Sequence, residues 1–161
     1  MEKVKIFTDS CSDIPDETLN EYNIEMLPTP VNFGEKVYKD RIDLKPEDFY
    51  KKLESTELLP KTSRISPKLF ERKFREALDE GYKVLSINFS SELSGIFESA
   101  VIAKRNIDSD NIKVIDSKSA YTGFALSVLK AARALRAGKS LEETVEITKK
   151  SCAHMEHIFA V

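Results

Sequence analysis

Glycine is scarce in this chain, five residues in 161, and no Gly-x-Gly-x-x-Gly or P-loop spacing occurs. Nucleotide binding through either of those phosphate cradles is therefore not expected. Cysteine is scarcer still. Cys11 and Cys152 are far apart and fall in different predicted elements, so they read as free thiols of a reducing compartment rather than as a disulfide. The two histidines, His154 and His157, are clustered near the C-terminus. A hydroxyl nucleophile elsewhere in the chain would lack a base within reach. Charge of one sign is not in excess: 25 Lys and Arg face 27 Asp and Glu, a net charge of -2. That balance argues against a general nucleic-acid binder, which carries a basic surplus. No apolar run is long enough to span a bilayer. Residues Met1 to Ile6 lack the apolar stretch of a signal peptide, so a cytoplasmic location is expected.

What is present is an ordinary globular composition, 41% apolar and 32% charged, in a length that suits one domain with a real core. Val4–Phe7, Val84–Ile87 and Ile112–Ile115 read as short apolar strands. The stretch from Ile24 to Phe33 is extended, but Pro28 and Pro30 make it an edge strand or a bent one. Gly34 to Lys36 forms a turn before Val37–Lys39. Helices are expected from Pro15 to about Tyr22, from Pro46 to about Leu53, and from Pro67 until Gly81 stops the third. Further helices run from about Leu93 to Lys104 and from Gly123 to Ala137. A last one is capped by Ser140, with Glu143 completing a capping box. His157–Val161 reads as a final strand. Strands alternating with amphipathic helices give the fold class: α/β, a mainly parallel sheet with helices on both faces.

Three turns rich in Ser and Thr stand immediately before helix starts. They are Thr8-Asp9-Ser10-Cys11-Ser12-Asp13, Thr62-Ser63-Arg64-Ile65-Ser66-Pro67 and Ser90-Ser91-Glu92-Leu93-Ser94-Gly95. In a parallel sheet, ligands sit beyond the carboxyl ends of the strands, where Asp9, Ser90 and Asp116 fall. Each turn taken alone is an ordinary N-cap. Together they offer more hydroxyls than capping needs: Ser66 suffices for its helix, which leaves Thr62 and Ser63 over. Hydroxyls and N–H groups of this kind suit a carboxylate or phosphate. Ile96 and Phe97, which follow Ser94-Gly95, are candidates for lining an apolar channel, the alternative being that they pack in the core. Cys152 to His157 suggests a metal site only weakly, because Cys152 lies on the apolar stripe of its helix; no metal is expected. Lys68, Arg72, Lys73 and Arg75 share their helix with Glu71 and Glu76 and read as a solvated mixed face.

Four segments in order resemble the DegV family of fatty-acid-binding proteins. Thr8 to Pro15 resembles its Asp-Ser-x-x-Asp turn, and Tyr38 to Asp43 its Tyr-x-Asp-Gly-x-Asp stretch, with Arg41 where Gly is usual. Thr62 to Pro67 resembles its Thr-Ser-x-Pro-Ser-Pro turn, with Ile65 for the first Pro. Ser90 to Ala100 resembles its Ser-Ser-x-Leu-Ser-Gly-Thr-Tyr-x-Ser-Ala signature, with Ile96 for Thr. The resemblance implies a fatty acid in an apolar tunnel, with its carboxylate held by Thr62 and Ser94 and with Ser63 and the Gly95 N–H nearby. It implies no cofactor and no catalysis by the chain itself. It implies a partner instead, a separate ATP-dependent fatty acid kinase subunit to which the carboxylate is presented. Residues 1–161 would then be the N-terminal lipid-binding domain, ending before a second domain that begins near residue 157. A different function class stays open, a hydrolase or transferase with Ser94 as nucleophile, although Leu93-Ser94-Gly95 matches only half of Gly-x-Ser-x-Gly. A small regulatory domain without a ligand is a third.

Overall fold

A computed structural model describes residues 2–156. In chain order the elements are β1 (Val4–Asp9), a single 3-10 turn at Ser10–Ser12, α1 (Asp16–Glu21), β2 (Ile24–Leu27), β3 (Pro30–Phe33), β4 (Lys36–Lys39) and α2 (Pro46–Glu54). They continue as β5 (Lys61–Thr62), α3 (Pro67–Asp79), β6 (Lys83–Asn88), α4 (Ile96–Ile107), β7 (Ile112–Asp116), α5 (Tyr121–Arg136) and α6 (Leu141–Ala153). The strand expected at His157–Val161 lies outside the described residues.

Four strands form a parallel sheet in the order β2-β1-β6-β7. β6 is central, and Val84, Leu85 and Ile87 are buried on both of its faces, as a strand covered by helices on either side must be. Side chains alternate along β1. Phe7 points to the layer formed by α3 and α4, and its ring meets Phe74 edge-on at 5.3 Å. Phe74 in turn packs on Phe70 at 5.6 Å. The opposite face is covered by α5 and α6, which contribute Phe124, Val128, Ala131 and Leu141 to the same core. Each fully buried Phe contributes roughly 1.5–3 kcal/mol of transfer free energy. The expected capping box is present: the Glu143 N–H donates to Ser140 Oγ at 3.1 Å, and the Ser140 N–H to Glu143 Oε2 at 2.9 Å.

The stretch from Ile24 to Phe33 is two strands in two sheets. β2 is the edge of the parallel sheet. At Pro28 the chain leaves it, and β3 becomes the centre of a second, antiparallel sheet in the order β4-β3-β5. Gly34, at a φ of +60, makes the tight turn between β3 and β4. This small sheet has its own core of Val31, Phe33 and Leu44, with Tyr38 and Phe49 packed against it. Lys52 lies over the rings of Phe33 and Tyr38 at 5.3 and 5.5 Å. α2 itself buries no residue completely.

Candidate functional site

The order of the parallel sheet reverses between β1 and β6, because the chain goes from β1 to β2 on one side and later to β6 on the other. Such a switch point opens a crevice beyond the carboxyl ends of the strands. Here β1 ends at Asp9, whose side chain bridges the gap. Its carboxylate accepts the Phe89 N–H at 2.9 Å and the Cys11 N–H at 3.2 Å, tying the two loops that form the crevice floor. Burial pushes the Asp9 carboxyl up to about 6, against the pull of those same N–H groups.

Above this floor lies a cavity of about 570 Å³, within the range usual for small-molecule sites. Thr62 and Ser63, at the end of β5, and Ser94, before α4, line it with hydroxyl-bearing side chains. Ser10, Cys11 and Thr29 form a second polar stretch, held by the Thr29 N–H donating to Ser10 Oγ at 3.0 Å. Phe89, Leu93, Ile96 and Tyr121 supply the apolar lining, with the Phe89 and Tyr121 rings 6.1 Å apart. Asp13 and Asp40 line the cavity as well. Burial raises the Asp13 carboxyl, Asp40 adds to the rise, and the Arg41 guanidinium opposes it.

The sequence-derived site residues divide. Thr62, Ser63, Ser94 and Ile96 meet on this one cavity. Phe97 is half-buried and is not part of its wall. Gly95 is the N-cap of α4; having no side chain it makes no cap hydrogen bond, and it does not itself line the cavity, although its neighbours Ser94 and Ile96 do. The approach Gly95 permits is that of Arg64: a Cβ at residue 95 would stand 3.1 Å from Arg64 Cδ. Ser90 and Ser91 are occupied with the turn. Ser90 Oγ accepts the Glu92 N–H, and Ser91 bonds Asp116 through both its N–H and its hydroxyl. Burial pushes the Asp116 carboxyl up, but the bonds from Ser91 and the Lys118 N–H outweigh it and leave it below its usual value. Ile96 is both wall and core: it is 1% exposed and belongs to the main apolar cluster.

Ser10, Cys11, Asp13, Thr29, Asp40, Phe89, Leu93 and Tyr121 also line the cavity and were not among the site residues read from the sequence. Asp13 lay in a motif already singled out, and a left-handed φ of 51° turns it toward the crevice. Tyr121 gave no signal: it also adopts a left-handed φ, 50°, which a bulky residue rarely takes.

A pH dependence follows from Asp9. It titrates near 6 in the fold and near the ordinary 3.8 when unfolded. The fold therefore holds the extra proton between those values, and the stability it contributes is complete below 3.8 and lost as the pH rises through 6. Asp13, also raised, acts in the same direction, whereas Glu2, Glu71, Glu76, Glu143 and Asp116 are held below their ordinary values and begin to lose their contribution as the pH falls toward those values, which offsets part of the gain near pH 5. Chemical denaturation should therefore show the chain about 1 kcal/mol more stable at pH 5 than at pH 7. Asp9→Asn should remove most of that slope; an unchanged slope would assign it to other groups.

A family model described as "Uncharacterised protein, DegV family" matches residues 3–161. The chain belongs to the DegV family. A DegV domain-containing protein of Clostridium perfringens is 40% identical over 158 residues, which is 98% of this chain and 56% of that protein. A fatty-acid-binding DegV family protein from Thermus thermophilus superposes with a TM-score of 0.85 at 31% identity, covering 94% of this chain and 54% of that one. A stearic-acid-binding protein from Eubacterium ventriosum superposes with a TM-score of 0.83 at 30% identity, covering 92% of this chain and 52% of that one. The chain thus spans about half the length of the DegV relatives it matches. Among the described residues no helix is long and apolar enough to cross a membrane, and no group of three or more His, Cys, Asp or Glu could hold a metal ion.

Proposed function

We propose that this chain is the head-group half of a fatty-acid carrier. The observation that carries the reading is the meeting of Thr62, Ser63 and Ser94, at the start of α4, on one cavity whose remaining wall includes Ile96, Phe89 and Tyr121. Hydroxyls beside a helix start complement a carboxylate. The apolar wall complements the first methylenes of its chain, each worth about 0.8 kcal/mol when buried. Relatives that bind fatty acids support the same ligand class.

The cavity rim favours a second covering element. Leu93 and Tyr121 stand 55% and 56% exposed beside the opening, and apolar rims of this kind mark surfaces that another body covers. A second domain beginning near residue 157 would cover them in the longer form. The bound carboxylate is then presented to a separate ATP-dependent kinase subunit. The residues beside it are poorly suited to chemistry of their own. Burial, followed by the charge of Asp9, pushes the Cys11 thiol up to about 12, so it is not a thiolate at neutral pH. His154, at the end of α6, is not among the residues that line the cavity; its Nδ1 lies 2.7 Å from the Lys150 carbonyl oxygen. A cytoplasmic setting agrees with two free cysteines.

Organic extraction of the purified chain followed by mass spectrometry tests the reading. Co-purified long-chain fatty acid is the expected result. Absence of lipid, together with an ester turnover lost on Ser94→Ala, would replace the carrier with a serine-dependent enzyme.

A further inference from the structure

Residues 30–62, which contain the small sheet and α2, bring Thr62 and Asp40 to the cavity but belong to a separate core. Few bonds join this unit to the parallel-sheet body. The Asp40 N–H donates to the Thr29 carbonyl at 3.0 Å, and the Thr29 N–H donates to Ser10 Oγ at the same distance. Among the described residues one ion pair crosses the seam, Arg41 Nη2 to the Asp16 carboxylate at the start of α1. Arg41 is held there against two costs. Its backbone sits at a φ of +63, a conformation glycine adopts freely and a large side chain does not. Its side chain is only 14% exposed, and Nη1 is buried with no protein partner. A surface arginine would not meet either cost without a compensating contact, and the contact present is the clasp onto Asp16. The Arg41 charge also acts on Asp13, which lines the cavity from the body side.

We infer that Arg41 is a positioning residue: it clasps the small-sheet unit against the start of α1 and so fixes how far Thr62 stands from Ser94 across the cavity. The inference rests on the cavity being a ligand site and deepens that reading. An intact clasp holds both residues on the lining of one cavity. With the clasp broken the unit swings on its Pro28–Thr29 and Ser63–Ser66 connections, the cavity widens, and a bound ligand leaves faster.

The test uses the 161-residue chain with Asp16→Asn, Arg41→Gly and the reversed pair Arg41→Asp with Asp16→Arg. Amide hydrogen exchange at Thr29 and Asp40 reports the seam without any ligand, and the dissociation rate of cis-parinaric acid reports the cavity. Asp16→Asn should raise exchange at those two amides about fivefold, the upper range for a partly exposed pair, while amides of β6 stay unchanged. Parinaric acid should dissociate faster by a similar factor. Arg41→Gly should do the same although it relieves the left-handed backbone, and the reversed pair should restore both readouts. Unchanged exchange at Thr29 and Asp40 in Asp16→Asn overturns the clasp, as does a rise shared equally by β1 and β6, which would mean a general loss of stability. A wild-type chain that binds no parinaric acid overturns the ligand reading instead and leaves the clasp to be decided by exchange.

Discussion

Ile96→Asp should unfold the domain, not merely empty its cavity. Ile96 is 1% exposed and packs into the core shared by both helical layers. An unpaired carboxylate there costs on the order of 3–5 kcal/mol. The first turn of α4 would welcome a negative charge, but by only about 0.3–1 kcal/mol, so the burial penalty wins. Against a total stability of roughly 5–15 kcal/mol, the variant should lose cooperative unfolding or show a greatly lowered urea midpoint. Ile96→Val, which removes one methylene, should cost only about 0.5–1.5 kcal/mol and leave the fold intact. An Ile96→Asp chain with a normal midpoint and no lipid binding would make Ile96 a wall residue alone.

Thr62→Val and Ser94→Ala should each weaken fatty-acid binding by about tenfold or more. A hydrogen bond from a neutral hydroxyl to a charged group is worth roughly 1.5–3 kcal/mol, and every 1.4 kcal/mol is about a factor of ten. Thr62 is exposed and Ser94 half-buried, so neither change should disturb the fold by more than about 0.5 kcal/mol. Titration with cis-parinaric acid gives the affinities. If both hydroxyls hold the same carboxylate, the double variant should lose less than the sum of the single losses, because the remaining bond is already weakened once the head group can shift. Wild-type affinity in Thr62→Val would remove Thr62 from the site.

The parallel sheet and its helices were legible because each carries a long signal. β6 reads as an apolar stretch, Val84, Leu85 and Ile87, broken only by Ser86, and α3 shows Phe70, Phe74 and Ala77 at helical spacing. The small sheet was not legible for the opposite reason. β5 is two residues long and both are exposed, so it has no period to read. The prolines at 28 and 30 correctly announced a bend but could not say that the chain changes sheets there. At the site, surplus hydroxyls picked out Thr62, Ser63 and Ser94, because a cap uses one oxygen and these turns hold several. Phe97 was singled out by nearness in sequence to Ser94, and the helical rotation of about 100° per residue takes it off the wall that Ile96 joins. Asp40 lay in the Tyr38–Asp43 segment but without a role, and Thr29 gave no signal; both come to the cavity through the seam between the two sheets, a tertiary contact that local pattern does not encode.

The central position of β1 also shapes how this chain is made. Its partner on the inner side is β6, with Ile6 opposite Leu85, and the Asp9 bond to Phe89 spans a sequence separation of 80. On a ribosome adding about 5–20 residues per second, roughly 4–16 s pass between the last residue of β1 and the last of β6. During that time β1 can pair only with β2; Phe7 has no Phe74 to cover it until α3 is made, and no α4 until after β6. The nascent first half is thus an exposed apolar ribbon that must be kept from sticking to other chains until synthesis passes residue 88. Chaperone dependence should be concentrated in that window, and slow codons placed before β6 would lengthen it.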